Sequence, residues 1–381
     1  MSDKKLSFLG ILAIVSVIAA VFVSQFANRT KTTSAGSGNL IQGLDPANIA
    51  EIVAGKDNEQ INLARRGSGF VVANKNYYPA SNRAVNDLLA ACFDIRTVEL
   101  YTEDKANHKD LGVSEEDARD IVKFLDSNGK VITAVVIGNL REDGSMAYAR
   151  LINDDKVYII YNTPWIRQSP LDYVEQELIS ADKANIDAVT ITSPNEVYTL
   201  ISEANGIEVV LQQLPVGKKQ KKNECDAVLG VLTNLRFDDV NAAADELDLN
   251  FDRQYTCLLK DSTLYTIQIA QKDSKTFIKC SAEFTDKTPI KKEQAVESQE
   301  ELKKKEAKLL AREKAKKFGE TCEGWIYEIP EYKAENMTRP LTELIEDVNS
   351  EPNSVNTPLT QKLNIKNQKY NQNCHKTYIK Y

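Results

Sequence analysis

The chain has few of the residues that enzymes use for acid–base chemistry and metal binding. Its 381 residues include two histidines, His108 and His375, and six cysteines without a C-x-x-C spacing. Histidine is the commonest acid–base group near neutral pH, and zinc sites need closely spaced Cys and His ligands. G-x-S-x-G and P-loop patterns are also missing. We therefore assign no catalytic, cofactor-binding or metal-binding residue, and expect no enzyme and no cofactor.

An excess of basic charge is missing as well. The chain has 48 Lys and Arg against 55 Asp and Glu, a net charge of −7 and a pI of about 5.3. Nucleic-acid binding needs a basic surface, so we expect no nucleic-acid partner. The content of 42% hydrophobic and 27% charged residues is that of a globular protein, and the length suits two domains.

One long apolar run is present, from Leu6 to Phe26, after Lys4 and Lys5. As a helix it matches the roughly 30 Å hydrocarbon core of a bilayer. We predict a cytoplasmic N-terminus (1–5), a transmembrane helix (6–26) and a body outside the cytoplasm, on the periplasmic or exterior side of the inner membrane. A cleaved signal peptide is the alternative, although the residues around Ala27 fit a cleavage site poorly.

Two polar segments flank the body. Residues 27–44 are rich in Ser, Thr and Gly, which predicts a flexible linker. Residues 349–381 are rich in Asn, Lys and Gln with few apolar residues, which predicts a disordered tail.

The body between these segments reads as an internal repeat, 45–180 and 185–348. Three pairs of similar segments support it: Asn48–Val53 with Ile186–Ile191, Asp87–Cys92 with Ala227–Leu232, and Val157–Tyr161 with Trp325–Ile329. Alternating apolar residues predict strands, and one segment per repeat has a helical pattern. The predicted fold class is α+β: two tandem related domains of mainly antiparallel sheet, each with one or two helices.

Within the first repeat we predict a hairpin of strands at Asp120–Leu125 and Val131–Ile137, joined by the Asn128-Gly129 turn. A helix is predicted to close this repeat at Leu171–Ile179. The second repeat carries an additional segment, 286–317, dominated by Lys, Glu and Ala. We interpret it as a charged, solvated helical insert, with binding to a membrane surface or an acidic partner as the alternative.

Several residues have both a functional and a structural interpretation. His108 is expected to be a solvated loop histidine rather than a general base, and Cys257 and Cys280 are expected on strands too far apart for a disulfide. The basic run Lys218–Lys222 is expected to be an exposed loop rather than an address signal. Arg96 and Arg236, at equivalent repeat positions, mark shared packing or a pair of contact surfaces.

Short motifs in the body resemble a known family. Leu44-Asp-Pro46, Leu111-Gly-Val113, Ala147-Tyr-Ala-Arg150 and Val157-Tyr158 follow in an order similar to that of a bacterial family of unknown function. The resemblance covers roughly residues 1–347. It implies one N-terminal membrane anchor, a repeated domain and an association with auxiliary components of gliding-motility-type ABC transporters. It implies no catalytic residue.

The sequence thus favours a membrane-anchored, extracytoplasmic binding or scaffold protein of unknown specificity. Its expected partners are the membrane, through residues 6–26, and a protein of a transporter or envelope complex. Two alternatives stay open: an envelope hydrolase that uses carboxylates, and a purely structural envelope protein.

Overall fold

The computed structural model describes residues 38–142, 144–203, 208–245, 248–289 and 298–348. The chain divides into two compact units. Unit 1 comprises Met1–Gln176 with Asp239–Ala242, and unit 2 comprises Glu177–Asp238 with Ala243–Tyr381. The predicted membrane helix, 6–26, and the predicted tail, 349–381, lie outside the described residues. Among the helices that the structure describes, none is both long and apolar enough to cross a membrane.

In its described residues, unit 1 contains a nine-stranded antiparallel sheet and one α-helix. Its strands are β1 (Glu51–Ala54), β2 (Ile61–Arg66), β3 (Gly69–Val72), β4 (Tyr78–Pro79), β5 (Arg96–Thr102), β6 (Asp120–Leu125), β7 (Val131–Leu140), β8 (Ala147–Leu151) and β9 (Val157–Tyr161). They lie in the order β4-β3-β2-β1-β6-β7-β8-β9-β5. The predicted Asn128-Gly129 hairpin is confirmed between β6 and β7, with Gly129 at a φ of 75°.

Helix α1 (Asn82–Phe93) covers one face of this sheet. Its apolar residues recur at helical spacing, so Val85, Leu88, Leu89, Cys92 and Phe93 are all buried. Phe93 packs on Phe124 of β6 with ring centroids 6.1 Å apart. The register aligns Phe124 with Ile52 and Ile52 with Leu63, so these side chains share the covered face. This layer is the main core of unit 1.

Unit 2 contains a second large antiparallel sheet and two separate pairs of short strands. The strands of unit 2 are β10 (Glu177–Ile179), β11 (Ile186–Thr192), β12 (Val197–Ser202), β13 (Val209–Leu211), β14 (Lys218–Gln220), β15 (Leu235–Arg236), β17 (Arg253–Leu259), β18 (Thr263–Lys272), β19 (Lys275–Phe284), β20 (Trp325–Ile329) and β21 (Ile345–Asp347). Strand β16 (Asp239–Ala242) is grouped with unit 1. Seven strands follow the order β13-β12-β11-β17-β18-β19-β20, while β10 pairs with β15 and β14 with β21.

The α-helices that the structure describes in unit 2 are α2 (Lys222–Leu229), α3 (Gln299–Cys322), α4 (Glu331–Met337) and α5 (Leu341–Leu344). Short 3-10 turns in the two units occupy Pro46–Asn48, Asp57–Glu59, Ala73–Lys75, Lys105–Asn107, Pro170–Tyr173, Lys183–Asn185 and Gly230–Asn234. The predicted α+β class with mainly antiparallel sheet and few helices is confirmed. The two sheets share one arrangement of strands. In unit 1, β1 lies between β2 and the meander that starts at β6; in unit 2, β11 lies between β12 and the meander that starts at β17. The repeat itself stays a prediction.

The charged segment of unit 2 packs on the sheet. Helix α3 begins with a capping box, in which Ser298 and Glu301 each accept a hydrogen bond from the other's backbone N–H. Ala311, Ala315 and Cys322 are buried, and Phe318 contacts Tyr265 of β18 edge to face at 5.2 Å. The helix therefore has one covered face, which differs from the fully solvated insert expected over 286–317.

Two further expectations differ from the structure. The predicted helix Leu171–Ile179 is wrong: a 3-10 turn, Pro170–Tyr173, is followed by strand β10. Ser169 caps the turn and Val174 is already extended, so the helix does not propagate. In the predicted linker, 27–44, Leu40 and Ile41 are buried and the Leu40 N–H donates to the Ile95 carbonyl. This end of the linker is therefore part of unit 1.

Candidate functional site

Three of the four motifs that carry the family resemblance, at Leu111–Val113, Ala147–Arg150 and Val157–Tyr158, meet in one small cluster on the second face of the unit 1 sheet. Val113, Ala118, Ile121, Val136 and Val157 are buried together. Leu111, Tyr148 and Ile152 pack against them. The loop between β5 and β6 thus closes over this face with its own apolar side chains, so these motif residues hold the loop in place.

Arg150 ties the loop to the sheet. Its guanidinium is buried, and Nε donates to the Val113 carbonyl at 2.7 Å. Nη1 donates to the Leu151 and Ile152 carbonyls at 3.1 and 2.9 Å. Burial lowers the pKa of Arg150 from its ordinary value. With its donors directed at backbone carbonyls, this arginine acts as a structural clamp.

Two glycines allow the same loop to approach β7. A Cβ on Gly138 would lie under 3.0 Å from the Leu111 and Gly112 carbonyl oxygens. Gly112 has a φ of 65°, in the left-handed region that favours glycine. The Asn139 N–H donates to the Leu111 carbonyl at 3.0 Å, which fixes this approach. The Leu111-Gly-Val113 motif is therefore explained by backbone geometry.

His108 is buried, and the expectation of a solvated loop histidine is wrong. Its ring Nε2 lies 2.9 Å from the Asp155 carbonyl oxygen, and its backbone carbonyl accepts from the Val113 N–H. The first contact joins the β5–β6 loop to the β8–β9 turn, and the second lies within the loop. The ring is buried with its nitrogen on a backbone carbonyl, so the geometry indicates a structural role.

The five described cysteines are buried and unpaired, at positions 92, 225, 257, 280 and 322. Cys257 lies on β17 and Cys280 on β19, with β18 between them, as expected. Burial raises the pKa of Cys92 and of Cys257 to about 12. Such thiols are poor nucleophiles at neutral pH because the thiolate is the reactive form. Within the described ranges, no cluster of three or more His, Cys, Asp or Glu is placed to hold a metal ion.

The basic run Lys218–Lys222 forms strand β14 and the start of α2 rather than a loop. Lys218 pairs with Asp347 at 2.9 Å and Lys219 with Glu346 at 3.1 Å, both across the β14–β21 ladder. Acidic side chains of the neighbouring strand β21 thus neutralise part of the positive charge of the run.

Arg96 and Arg236, the two arginines at equivalent repeat positions, lie on short edge pairings. Arg96 opens β5 opposite Tyr161, and Arg236 lies in β15 opposite Glu177. Arg96 is the first residue of the β5–β9 pairing, and Arg236 is the last residue of β15 in the β10–β15 pairing.

The edge strand β5 presents apolar side chains to solvent. Val98, Leu100 and Tyr101 are 46%, 46% and 51% exposed. The strand pairs with β9 along one edge, with bulges at Val98 and Tyr101. On its other edge, Asn39 bridges Arg96 and Gly38 accepts from the Thr97 N–H. From Val98 to Thr102, no other described strand pairs with this edge.

A second exposed feature of unit 1 is a cleft beside Trp165, with a volume of about 380 Å³. Its lining comprises Arg119, Asp120, Thr163, Pro164, Trp165, Ile166 and Gln168. Trp165 is 79% exposed, whereas Pro164 and Ile166 on either side are buried. Arg119 Nε donates to Asp120 Oδ2 at 3.2 Å, and burial raises the pKa of Asp120. No sequence motif predicted this site, although Trp165 is one of only two tryptophans and follows a proline.

Two clefts formed by described residues of unit 2 lie near charged side chains. One, of about 590 Å³, lies between the segment after β19 and α3, where Lys308 pairs with Asp286 at 2.6 Å. The other, of about 420 Å³, lies between the β18–β19 turn and α4. Neither contains an exposed aromatic ring. Burial, with nearby Glu328, raises the pKa of Asp238, which lines neither cleft.

One known protein family matches part of the chain. Residues 71–254 match the family described as Domain of unknown function (DUF4340). The match runs from β3 of unit 1 to β17 of unit 2 and includes the motifs at Leu111 and Arg150. The prediction of a family of unknown function is thus confirmed for this part of the chain. No curated protein and no solved structure matches the chain.

Proposed function

We propose that this protein is a membrane-tethered, extracytoplasmic binding module without catalytic activity, and that it recruits a partner protein to edge strand β5. Residues 6–26 anchor it in the inner membrane. The observation that carries the proposal is the β5 edge from Val98 to Thr102, which pairs with no other described strand and has three exposed apolar side chains. An edge strand with unpaired backbone groups and exposed apolar side chains is a template for pairing with a strand of another chain.

The partner adds an extended segment to this edge. Backbone N–H and C=O groups along the edge supply affinity, and side chains on the two faces supply specificity. Leu100 lies on the face of Tyr158, its register partner, while Tyr101 packs against Tyr148 with ring centroids 4.9 Å apart and the rings tilted by 57°. Glu99 in the same strand restricts pairing to segments that tolerate its charge. The family resemblance supports a subunit of an ABC transporter or of an envelope complex as the partner.

The test is recovery of partners from gently solubilised membranes with full-length wild-type and variant protein. Val98→Lys places a charge on the β5 edge, and the matched control Val197→Lys makes the same change on β12 of unit 2, where Val197 is 64% exposed. We expect stoichiometric transporter or envelope subunits with wild type and control, and at least a tenfold loss with Val98→Lys. Equal recovery by both variants would refute the edge as the docking surface, and recovery of the protein alone would favour a purely structural role.

A carboxylate-dependent envelope hydrolase is the second candidate, favoured by Asp120. A carboxyl group with a raised pKa beside a cleft is suited to general acid catalysis. Glycosidases need a second carboxylate across the scissile bond, and Asp120 is the one acidic residue among those that line the Trp165 cleft. Turnover of a bacterial cell-wall preparation that Asp120→Asn abolishes would establish this candidate over the first.

A further inference from the structure

The Trp165 cleft of unit 1 has one aromatic wall. Pro164 and Ile166 are buried on either side of Trp165, so the segment is anchored while the indole points outward. Arg167 extends the anchoring, because its Nη1 donates to the Asp172 carbonyl at 2.8 Å and its Nη2 lies 3.7 Å from Asp87 Oδ2. The exposed indole offers a flat apolar surface with one polar N–H group, which a ligand ring can cover.

The rest of the cleft is polar and balanced in charge. Arg119 and Asp120 supply one positive and one negative group, joined by a single hydrogen bond of 3.2 Å. Among the described residues, the Asp120 carboxylate has no other hydrogen-bond donor, and the side chains of Thr163 and Gln168 have no hydrogen-bond partner. A carboxylate accepts, a guanidinium donates, and an amide and a hydroxyl do both.

This combination selects a ligand by its chemistry. An anion would meet the Asp120 carboxylate, a cation would meet the Arg119 guanidinium, and a purely apolar molecule would leave the polar groups of the wall unpaired. A pyranose ring presents one face of C–H bonds, which can stack on an indole, and hydroxyl groups around its rim, which can both donate and accept. The cleft volume of about 380 Å³ lies in the range of small-ligand sites, roughly 300–1,000 Å³.

We infer that this cleft binds a neutral sugar unit of a glycan, with its ring stacked on Trp165 and its hydroxyls hydrogen-bonded to Asp120, Arg119 and Gln168. Binding here is separate from the recruitment of a protein at β5, because the cleft includes no β5 residue. The body thereby gains a second, non-protein ligand.

Tryptophan fluorescence gives a direct test, since Trp165 and Trp325 are the only two tryptophans. Trp325→Phe leaves Trp165 as the single indole of the full chain. The detergent must lack a sugar headgroup; lauryldimethylamine oxide meets this need. Probes are cellotetraose, chitotetraose, maltotetraose and mannotetraose, with inorganic phosphate as a charged control, each to about 10 mM, because weak single-site ligands bind with millimolar affinity.

We expect a saturable change in Trp165 emission with at least one tetrasaccharide and none with phosphate. Calorimetry with that sugar should show at least tenfold weaker binding for Trp165→Ala and for Asp120→Asn. The control Tyr332→Ala, which removes an exposed aromatic ring of α4, should leave the affinity unchanged. No response to any of the four sugars, a response to phosphate, or binding that survives Trp165→Ala would overturn the inference. None of these outcomes affects the partner-recovery test with Val98→Lys, because the cleft includes no β5 residue.

Discussion

At the scale of single residues, the motif positions of unit 1 are explained by backbone contacts. Arg150 binds the carbonyls of Val113 and Leu151, and Gly138 leaves room for the carbonyl of Leu111. Neither residue lines the Trp165 cleft or the β5 edge. Arg150, a motif residue, and Gly138, which lies outside the motifs, therefore both hold the β5–β6 loop on the sheet.

The closest of these contacts predicts a specific loss of stability. Gly138→Ala adds a Cβ that collides with the backbone of Leu111 and Gly112, so the loop or β7 must shift. We expect a cost of about 1–3 kcal/mol in unfolding free energy. Gly69→Ala is the control, since its Cβ would meet only the Asn82 side chain at 3.6 Å. Chemical denaturation followed by circular dichroism measures both, and equal stability of the two variants would contradict the clash.

A second prediction at this scale concerns Asp286. Hydrogen bonds from Lys308 and Thr288 lower its pKa from 3.8 to about 2. Because the folded-state pKa is depressed, the stabilisation is present above about pH 4 and is lost as pH falls through about 2. In Lys308→Met the pKa of Asp286 should rise towards 3.8. Carboxyl NMR titration measures it.

Asp126 serves as the internal reference for that titration. Backbone hydrogen bonds from Lys130 and Asn128 lower its pKa, so it should not respond to a change at Lys308. If the pKa of Asp286 were the same in wild type and in Lys308→Met, the result would argue against the ion pair of Asp286 with Lys308.

At the scale of elements, α3 shows how small residues conceal a packed helix face. The helix is charged along most of its length, and its buried positions Ala311, Ala315 and Cys322 contribute little to an apolar pattern. Small side chains nevertheless allow the helix to approach β19; a Cβ on Gly319 would lie 3.6 Å from the Ala282 carbonyl oxygen. Sequence periodicity detects large apolar residues, and the buried face of α3 consists of small ones. The sequence therefore predicts a solvated helix although one face is covered.

A matched pair of substitutions in α3 tests this packing. Ala315→Glu buries a carboxylate against the sheet and should lower the unfolding free energy by about 3 kcal/mol. Ala307→Glu makes the same change at an exposed position of the same helix and should stay within about 0.5 kcal/mol. Thermal unfolding of both variants gives the comparison. If both substitutions were equally mild, α3 would not be packed on β19 in solution.

At the scale of the whole molecule, each unit folds around its own sheet and buries its own cysteines. Cys92 lies in unit 1, while Cys225, Cys257, Cys280 and Cys322 lie in unit 2. None of these five forms a disulfide, so both units rely on packing and hydrogen bonds.

Thiol reactivity reports on both units at once. In the full chain with Cys374→Ser, we expect the five remaining thiols to resist an aromatic disulfide reagent in the folded state, because each is buried. All five should react quickly in denaturant. Pretreatment with a reductant should change neither result; rapid labelling of the folded protein would mean that a unit opens in solution.

Local pattern in the sequence determined the class of fold and much of its order. Alternating apolar residues and turn residues such as Asn128-Gly129 act between near neighbours, so β6, β7 and β9 are readable from the sequence. Tertiary structure alone decided that His108 is buried, that α3 has a covered face, and that Asp120 and Trp165 meet beside one cleft. These outcomes depend on contacts between residues far apart in the chain, which no local period encodes.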